Sequence, residues 1–273
     1  MQQPIGVIDS GVGGLTVARE LMRQLPKEKY IYLGDTRRCP YGPRPKEEVK
    51  RYTWEMVHYL LEKNIKMLIV ACNTATAYTL TELQNELDIP VIGVIEPGAR
   101  AAISSSQRKN IGVIGTEGTI QSKAYSKALK EIDSSILVEG LACPPLVPMI
   151  ENGILHGEEA KAIVKRTLAP LKGKQGLDTL ILGCTHYPII KDLVQAEMGT
   201  HIQVISSGEE TAREASLILA YNKSLAKWEE SPVHEFYSTG DIEKFRSVAD
   251  QWLDHPVQLL ELVNLHPMPS SVK

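Results

Sequence analysis

Short apolar runs recur along this chain, and longer stretches of mixed polarity separate them. The runs predict strands over residues 5–9, 30–33, 67–71, 91–95, 111–114, 136–139, 179–182, 203–205 and 235–238. Several stretches between them, such as 46–63 and 209–228, have the length and patterning of helices. Strands alternating with helices specify an α/β fold whose sheets are mainly parallel and flanked by helices. In such sheets ligands bind beyond the carboxyl ends of the strands. Polar side chains that directly follow an apolar run are therefore the first candidates for chemistry.

One run ends unusually. In LIVACNTATAY, residues 68–78, a buried strand leads straight into Cys72, Asn73 and Thr74. A free cysteine by itself is most often a small core residue. The chain repeats the device, however. IGVIDSG starts at Ile5 and IGVIGTEG at Ile111, 106 residues on; LIVACNTA starts at Leu68 and LILGCTHY at Leu180, 112 residues on. Two matches in one order at nearly one offset describe two related lobes, each with a later strand that ends in cysteine and two polar residues. The expected lobes are residues 1–96 plus 207–273, with the C-terminal segment returning to the first lobe as helices plus a strand, and residues 97–206. The tail HPMPSSVK is expected to fray.

Composition narrows the class without changing this picture. At 273 residues the chain can bury one large core or two ordinary ones. A net charge of −3 gives no general attraction to nucleic acid or anionic membrane. The sequence has no bilayer-length apolar run and no basic-then-apolar leader, so a cytoplasmic protein is expected. Cys39, Cys72, Cys143 and Cys184 lie 33, 71 and 41 residues apart, which matches no zinc spacing, and in a reducing compartment they stay thiols. Packing or catalysis is left to them.

Two facing lobes would bring Cys72 and Cys184 to opposite sides of one bound molecule. That arrangement suits inversion of a carbon, in which a proton leaves one face and another arrives on the opposite face. A thiol is only slightly ionised at neutral pH, so each needs help to move its proton. Beside Cys184 stands His186, which can take or return a proton. Near Cys72 the candidate is Asp9, at the end of the first strand. Its carboxylate would oppose thiolate formation, which fits a proton acceptor or a seat for a substrate ammonium better than a simple activator. The glycines of DSGVGGLTV match neither the P-loop nor the dinucleotide fingerprint. They are expected instead to let a ligand approach the backbone, with helix amides available to a carboxylate. The turn-rich CPYGPRP loop offers further amides around Tyr41 and Gly42. Many amides and hydroxyls with little fixed positive charge suit a small amino acid.

DSGVGG at 9–14, PYG at 40–42, ACNTA at 71–75 and GCTHYP at 183–188 together resemble the glutamate racemases, within the cofactor-independent aspartate/glutamate racemase superfamily. The resemblance runs from Ile5 to about Leu260 and implies a two-lobed α/β fold with the active site in the cleft. It implies interconversion of L- and D-glutamate for peptidoglycan, with no cofactor, no metal and a homodimeric assembly. The catalytic thiols fall on Cys72, acting on the D-enantiomer, and Cys184, acting on the L-enantiomer, assisted by Asp9 and His186. Glu151 matches the acidic residue that orients the histidine. Substrate contacts fall on Asp9, Ser10, Tyr41, Gly42, Asn73, Thr74, Thr185 and His186, with Thr119 a further one. Cys39 and Cys143 are assigned to packing. Relatives that racemise aspartate or hydantoins, decarboxylate malonates or isomerise maleate give the alternative chemistry, and a two-lobed binding protein without catalysis is a third reading.

Overall fold

Each apolar run expected to be a strand forms one in the computed structural model, which describes residues 2–227, 232–254 and 256–266. The first half runs β1 (Ile5–Asp9), α1 (Leu15–Gln24), β2 (Tyr30–Gly34), α2 (Lys46–Glu62), β3 (Met67–Val70), α3 (Asn73–Glu86), β4 (Val91–Gly93) and α4 (Ile95–Ser105). Then follow β5 (Asn110–Gly115), α5 (Glu117–Gln121), α6 (Ala124–Ile132), β6 (Leu137–Ala142), α7 (Leu146–Glu151), α8 (Gly157–Leu168), β7 (Thr179–Gly183), α9 (Lys191–Met198) and β8 (Gln203–Ser206). The last part contains α10 (Ser207–Tyr221), β9 (Glu235–Ser238), α11 (Ile242–Trp252) and β10 (Leu259–Leu262).

The strands form two sheets, in the orders β10-β9-β2-β1-β3-β4 and β6-β5-β7-β8, and every pairing is parallel. The repeat seen in the sequence is thereby explained. β1 lies between β2 and β3 as β5 lies between β6 and β7, so the two IGVI strands occupy equivalent central positions. The two strands that lead to cysteine, β3 and β7, are equivalent as well.

Both faces of the larger sheet are buried, as its continuous apolar strands require. Ile5, Val7, Met67 and Ile69 pack beneath α1, α10 and α11, whereas Ile8, Leu68 and Val70 pack against α2 and α3. The C-terminal segment joins this sheet through β9 and β10. Phe245 of α11 is fully buried, with its ring 5.9 Å from Tyr32 and 6.4 Å from Phe236. Phe245→Ala should cost about 3–5 kcal/mol through the cavity it opens. Chemical denaturation would read this as a lower midpoint.

The structure departs from the pattern in three places. The expected strand 91–95 stops at Gly93, and Ile95 begins α4. A short apolar run is buried equally well as strand or helix, so periodicity does not separate them. The expected helix 209–228 ends at Tyr221, where Lys223 takes a φ of 53° and Ser224 N–H reaches back to Leu219 O at 2.9 Å. Residue 228 lies outside the described residues, as does the tail HPMPSSVK beyond His266. The pattern does not predict β10. Leu259 and Leu262 are 47% and 55% exposed, so this edge strand lacks a core-facing pattern and owes its form to pairing with β9. Among the described residues, no helix is long and apolar enough to cross a membrane.

Candidate active site

The carboxyl ends of β1 and β3 deliver the first set of polar groups. Asp9 closes β1 and is fully buried. Its Oδ2 accepts the Gly11 N–H at 3.0 Å, and the Gly14 backbone also donates to the carboxylate. The amides expected to hold a ligand carboxylate are thus occupied by Asp9. Cys72 follows β3 as the N-cap of α3, where its sulfur accepts the Ala75 N–H at 3.5 Å. Its thiol donates to Ser10 Oγ at 3.6 Å. Ser10 is therefore the residue that touches Cys72, and Asp9 acts on it through charge. Asn73 Oδ1 accepts the Tyr125 hydroxyl at 2.7 Å, while its buried Nδ2 has no partner among the described residues.

From the smaller sheet, β7 delivers Cys184, Thr185 and His186. Cys184 Sγ lies 3.8 Å from His186 Nδ1. On the ring's other side, Nε2 lies 3.2 Å from Glu151 Oε1 at the end of α7. Thr185 crosses between the lobes: its hydroxyl donates to Asp9 Oδ1 at 3.3 Å, and its carbonyl accepts the Thr16 hydroxyl at 3.0 Å.

A cavity at this junction is lined by Ser10, Tyr41, Gly42, Cys72, Asn73, Thr74, Cys184, Thr185 and His186, joined by Pro40, Thr116 and Val147. Of the expected site residues, Asp9 lies beneath the cavity and Glu151 behind His186. The Tyr41 hydroxyl points away, donating to Asp35 Oδ2 at 2.5 Å, so Tyr41 does not offer its hydroxyl to the cleft. Thr119 is buried and bonds to Thr74 at 3.1 Å; Thr116 is the residue of that turn that reaches the cavity. Gly42 O accepts the Gly118 N–H at 2.9 Å, latching one lobe to the other. The free space is ≈10 Å³, about one water molecule, which is too small for an amino acid.

Sequence reading missed Thr116 and Val147. The internal repeat carries a signal for the first, because IGVIDS aligns with IGVIGT and sets Thr116 opposite Ser10. Nothing comparable marks Val147. The glycines of DSGVGG also serve a different purpose from the one expected. A Cβ on Gly13 would lie 2.4 Å from Thr185 Oγ1 and 2.5 Å from His186 Nδ1, so this glycine admits the opposing lobe.

The titrating groups are poised differently on the two sides. Burial, and then the charge of Asp9, pushes the Cys72 thiol up to about 12, so it holds its proton. Burial also raises Asp9, which makes its carboxylate a better proton acceptor than an exposed one. Burial alone would lower His186, but the hydrogen bonds to Cys184 and Glu151 win, raising it to about 10. Glu151 is lowered first by its hydrogen bond with His186, against the opposing effect of burial. One side thus presents a protonated thiol, and the other a sulfur beside a cationic imidazole.

A family model of the Asp/Glu/hydantoin racemases matches residues 5–215. The chain belongs to that family. A glutamate racemase from Oceanobacillus iheyensis is 63% identical over 249 residues, spanning 91% of each chain. Among solved structures, a glutamate racemase isoform from Bacillus anthracis superposes with a TM-score of 0.93 at 50% identity, covering 96% of this chain and 98% of that one. The glutamate racemase of Francisella tularensis, solved in complex with D-glutamate, gives 0.90 at 35% identity over 97% and 98%. These family members share the α/β architecture of two mainly parallel sheets.

Proposed function

We infer that this protein interconverts L- and D-glutamate, an isomerase reaction carried by two thiols without a cofactor, and that its D-glutamate supplies peptidoglycan. The observation that carries the reading is the pair of cysteines, one from each sheet, that line a single cavity with different proton-handling neighbours. Near-full-length similarity to glutamate racemases supports the choice of substrate.

Starting from L-glutamate, Cys184 removes the α-proton with His186 as its partner. Cys72 then gives its thiol proton to the opposite face of the carbanion. In the reverse direction, Asp9 is the acceptor through which Cys72 gives up its proton. The unpartnered Asn73 Nδ2, the hydroxyls of Ser10, Thr74 and Thr185, and the amides of Tyr41 and Gly42 hold the substrate's carboxylates. Preorganised donors of this kind stabilise charge that develops at the α-carbon and spreads into its carboxylate. Closure of the lobes removes water and strengthens every one of these contacts.

The lobes correspond to residues 1–96 plus 207–273 and residues 97–206, and glutamate binds between them. Four free cysteines fit a reducing cytoplasm. A homodimer is the expected assembly, and Leu217 and Tyr221, 63% and 88% exposed on α10, offer apolar surface for it. Light scattering of the purified chain would report that state.

The test is isotope exchange in heavy water, run separately from each glutamate enantiomer and from L-aspartate. Deuterium should enter the α-carbon of both glutamate enantiomers. Tight glutamate binding without exchange would make the protein a binding module. Faster exchange into aspartate would overturn the substrate, since a one-methylene difference is worth only about 1–3 kcal/mol in discrimination.

The relay behind Cys184 gives a pH prediction. A raised His186 stays cationic until the pH passes about 10, so the alkaline limb of kcat/KM for L-glutamate belongs there. Glu151→Gln removes the negative charge that favours the cation, so the limb should move down by about one unit. A pH–rate profile of the variant against the unsubstituted chain checks the sign.

A further inference from the structure

Cys39 takes no part in this proton transfer, yet its sulfur stands at the edge of the relay. Its Sγ lies 3.2 Å from Glu151 Oε1, and the same oxygen lies 3.2 Å from His186 Nε2. The three donor atoms all fall within 4.8 Å of one another. They come from both lobes: Cys39 from the loop after β2, Glu151 from the end of α7, and His186 from the turn after β7.

A thiol, a carboxylate and an imidazole make a mixed donor set that suits zinc and similar borderline-soft divalent ions. With bonds of about 2.0–2.3 Å, neighbouring ligands of a tetrahedral zinc stand about 3.3–3.6 Å apart. Two of the three separations, 3.2 Å each, fall just short of that spacing and the third lies within 4.8 Å, so side-chain adjustment at Cys39 and His186 would seat an ion. The surrounding charge also favours a cation, because the Asp9 carboxylate acts on both Cys39 and His186. Glu151 is about a quarter exposed, which gives the ion a way in from solvent. Coordination replaces two protons, one on the Cys39 sulfur and one on His186 Nε2, with one doubly charged ion. The net charge of the cluster does not change.

We propose that Cys39, Glu151 and His186 form an inhibitory site for a zinc-like divalent cation, which bolts the two lobes together and withdraws His186 from proton transfer. The inhibition rests on the racemase reading above; the binding does not. With the lobes joined at Cys39, the cleft keeps its ≈10 Å³ of free space and glutamate cannot enter.

The experiment uses Co²⁺ as a spectroscopic probe and Zn²⁺ as the inhibitor. The Cys72→Ser/Cys184→Ser chain removes both cleft thiols as competing ligands. It should bind one Co²⁺ and show a thiolate-to-cobalt charge-transfer band, and adding Cys39→Ser should abolish that band. Glu151→Gln, which preserves side-chain shape, should weaken the same complex. In the chain with native Cys72 and Cys184, Zn²⁺ should inhibit racemisation, and Cys39→Ser should raise the half-inhibitory concentration by about 100-fold. Each rate is referred to the same protein in chelator. A double-serine chain without the cobalt band, or a band that survives Cys39→Ser, overturns the site. Equal zinc sensitivity with and without Cys39 overturns it too. Should the chain be inactive on glutamate, the cobalt measurement still decides the binding, so the two failures are distinguishable.

Discussion

Cys72→Ser and Cys184→Ser should each lower glutamate racemisation by about 10³–10⁴-fold in both directions, the upper range for a positioned acid or base. On the proposed mechanism racemisation needs both groups on every turnover, so the loss of either should stop the full reaction. The half-reactions should separate. Cys72→Ser retains Cys184 with His186 at 3.8 Å, so it should still remove the α-proton from the L-enantiomer. Cys184→Ser retains Cys72 with Ser10 and Asp9, and should still act on the D-enantiomer. A glutamate analogue that carries a leaving group beside the α-carbon exposes this, because elimination requires only the first proton transfer. Each variant should eliminate from one hand of the analogue and not the other. Near-native racemisation by both variants would make the thiols bystanders. Elimination by one variant from both hands would show that they do not serve separate faces.

The fold was legible because its strands are nearly continuous apolar runs bounded by polar residues, and because a duplicated architecture left a duplicated phrase. Ile5 opens β1 and Ile111 is the second residue of β5, strands with the same place in the shared orders β2-β1-β3-β4 and β6-β5-β7-β8, so a weak match in letters corresponded to a strong match in space. Where a residue's form depends on its partner, legibility ended. Leu259 and Leu262 make a strand because β9 offers an edge, and no pattern in LLEL announces it. The site divides in the same way. Strand ends pointed to Cys72 and Cys184, which line one cavity, since a thiol and polar residues after a buried run are visible locally. The contacts of Ser10 with Cys72, of Asp9 with Thr185 and of Cys39 with Glu151 all join residues far apart in sequence. The Ser10–Cys72 contact follows from the pairing of β1 with β3, and the other two from the packing of one lobe on the other, which no local pattern encodes.

Gly13→Ala tests that packing, and it should reduce kcat/KM by about 100-fold, the loss expected when reacting groups are displaced by roughly 1 Å. The methyl group would stand 2.4 Å from Thr185 Oγ1 and 2.5 and 2.7 Å from His186 Nδ1 and Cε1, far inside van der Waals contact. His186 has little room to retreat. It is 2% exposed, bonded to Glu151 behind, and faced edge-on by Trp252 at 6.5 Å. The strain is therefore relieved by moving the lobes apart or by tilting the imidazole away from Cys184, and either movement spoils proton transfer. Stability should change much less, because the clash lies between lobes and alanine restricts the unfolded chain, which is worth about 0.4–1 kcal/mol. Gly208→Ala is the matched control: its Cβ would meet nothing closer than 3.5 Å, in the first turn of α10. That variant should melt at the same temperature or slightly higher and keep its activity. Kinetics and thermal melts of the pair separate the two effects. A Gly13→Ala enzyme with full activity would mean that the lobes need not meet at Gly13 and His186 during turnover.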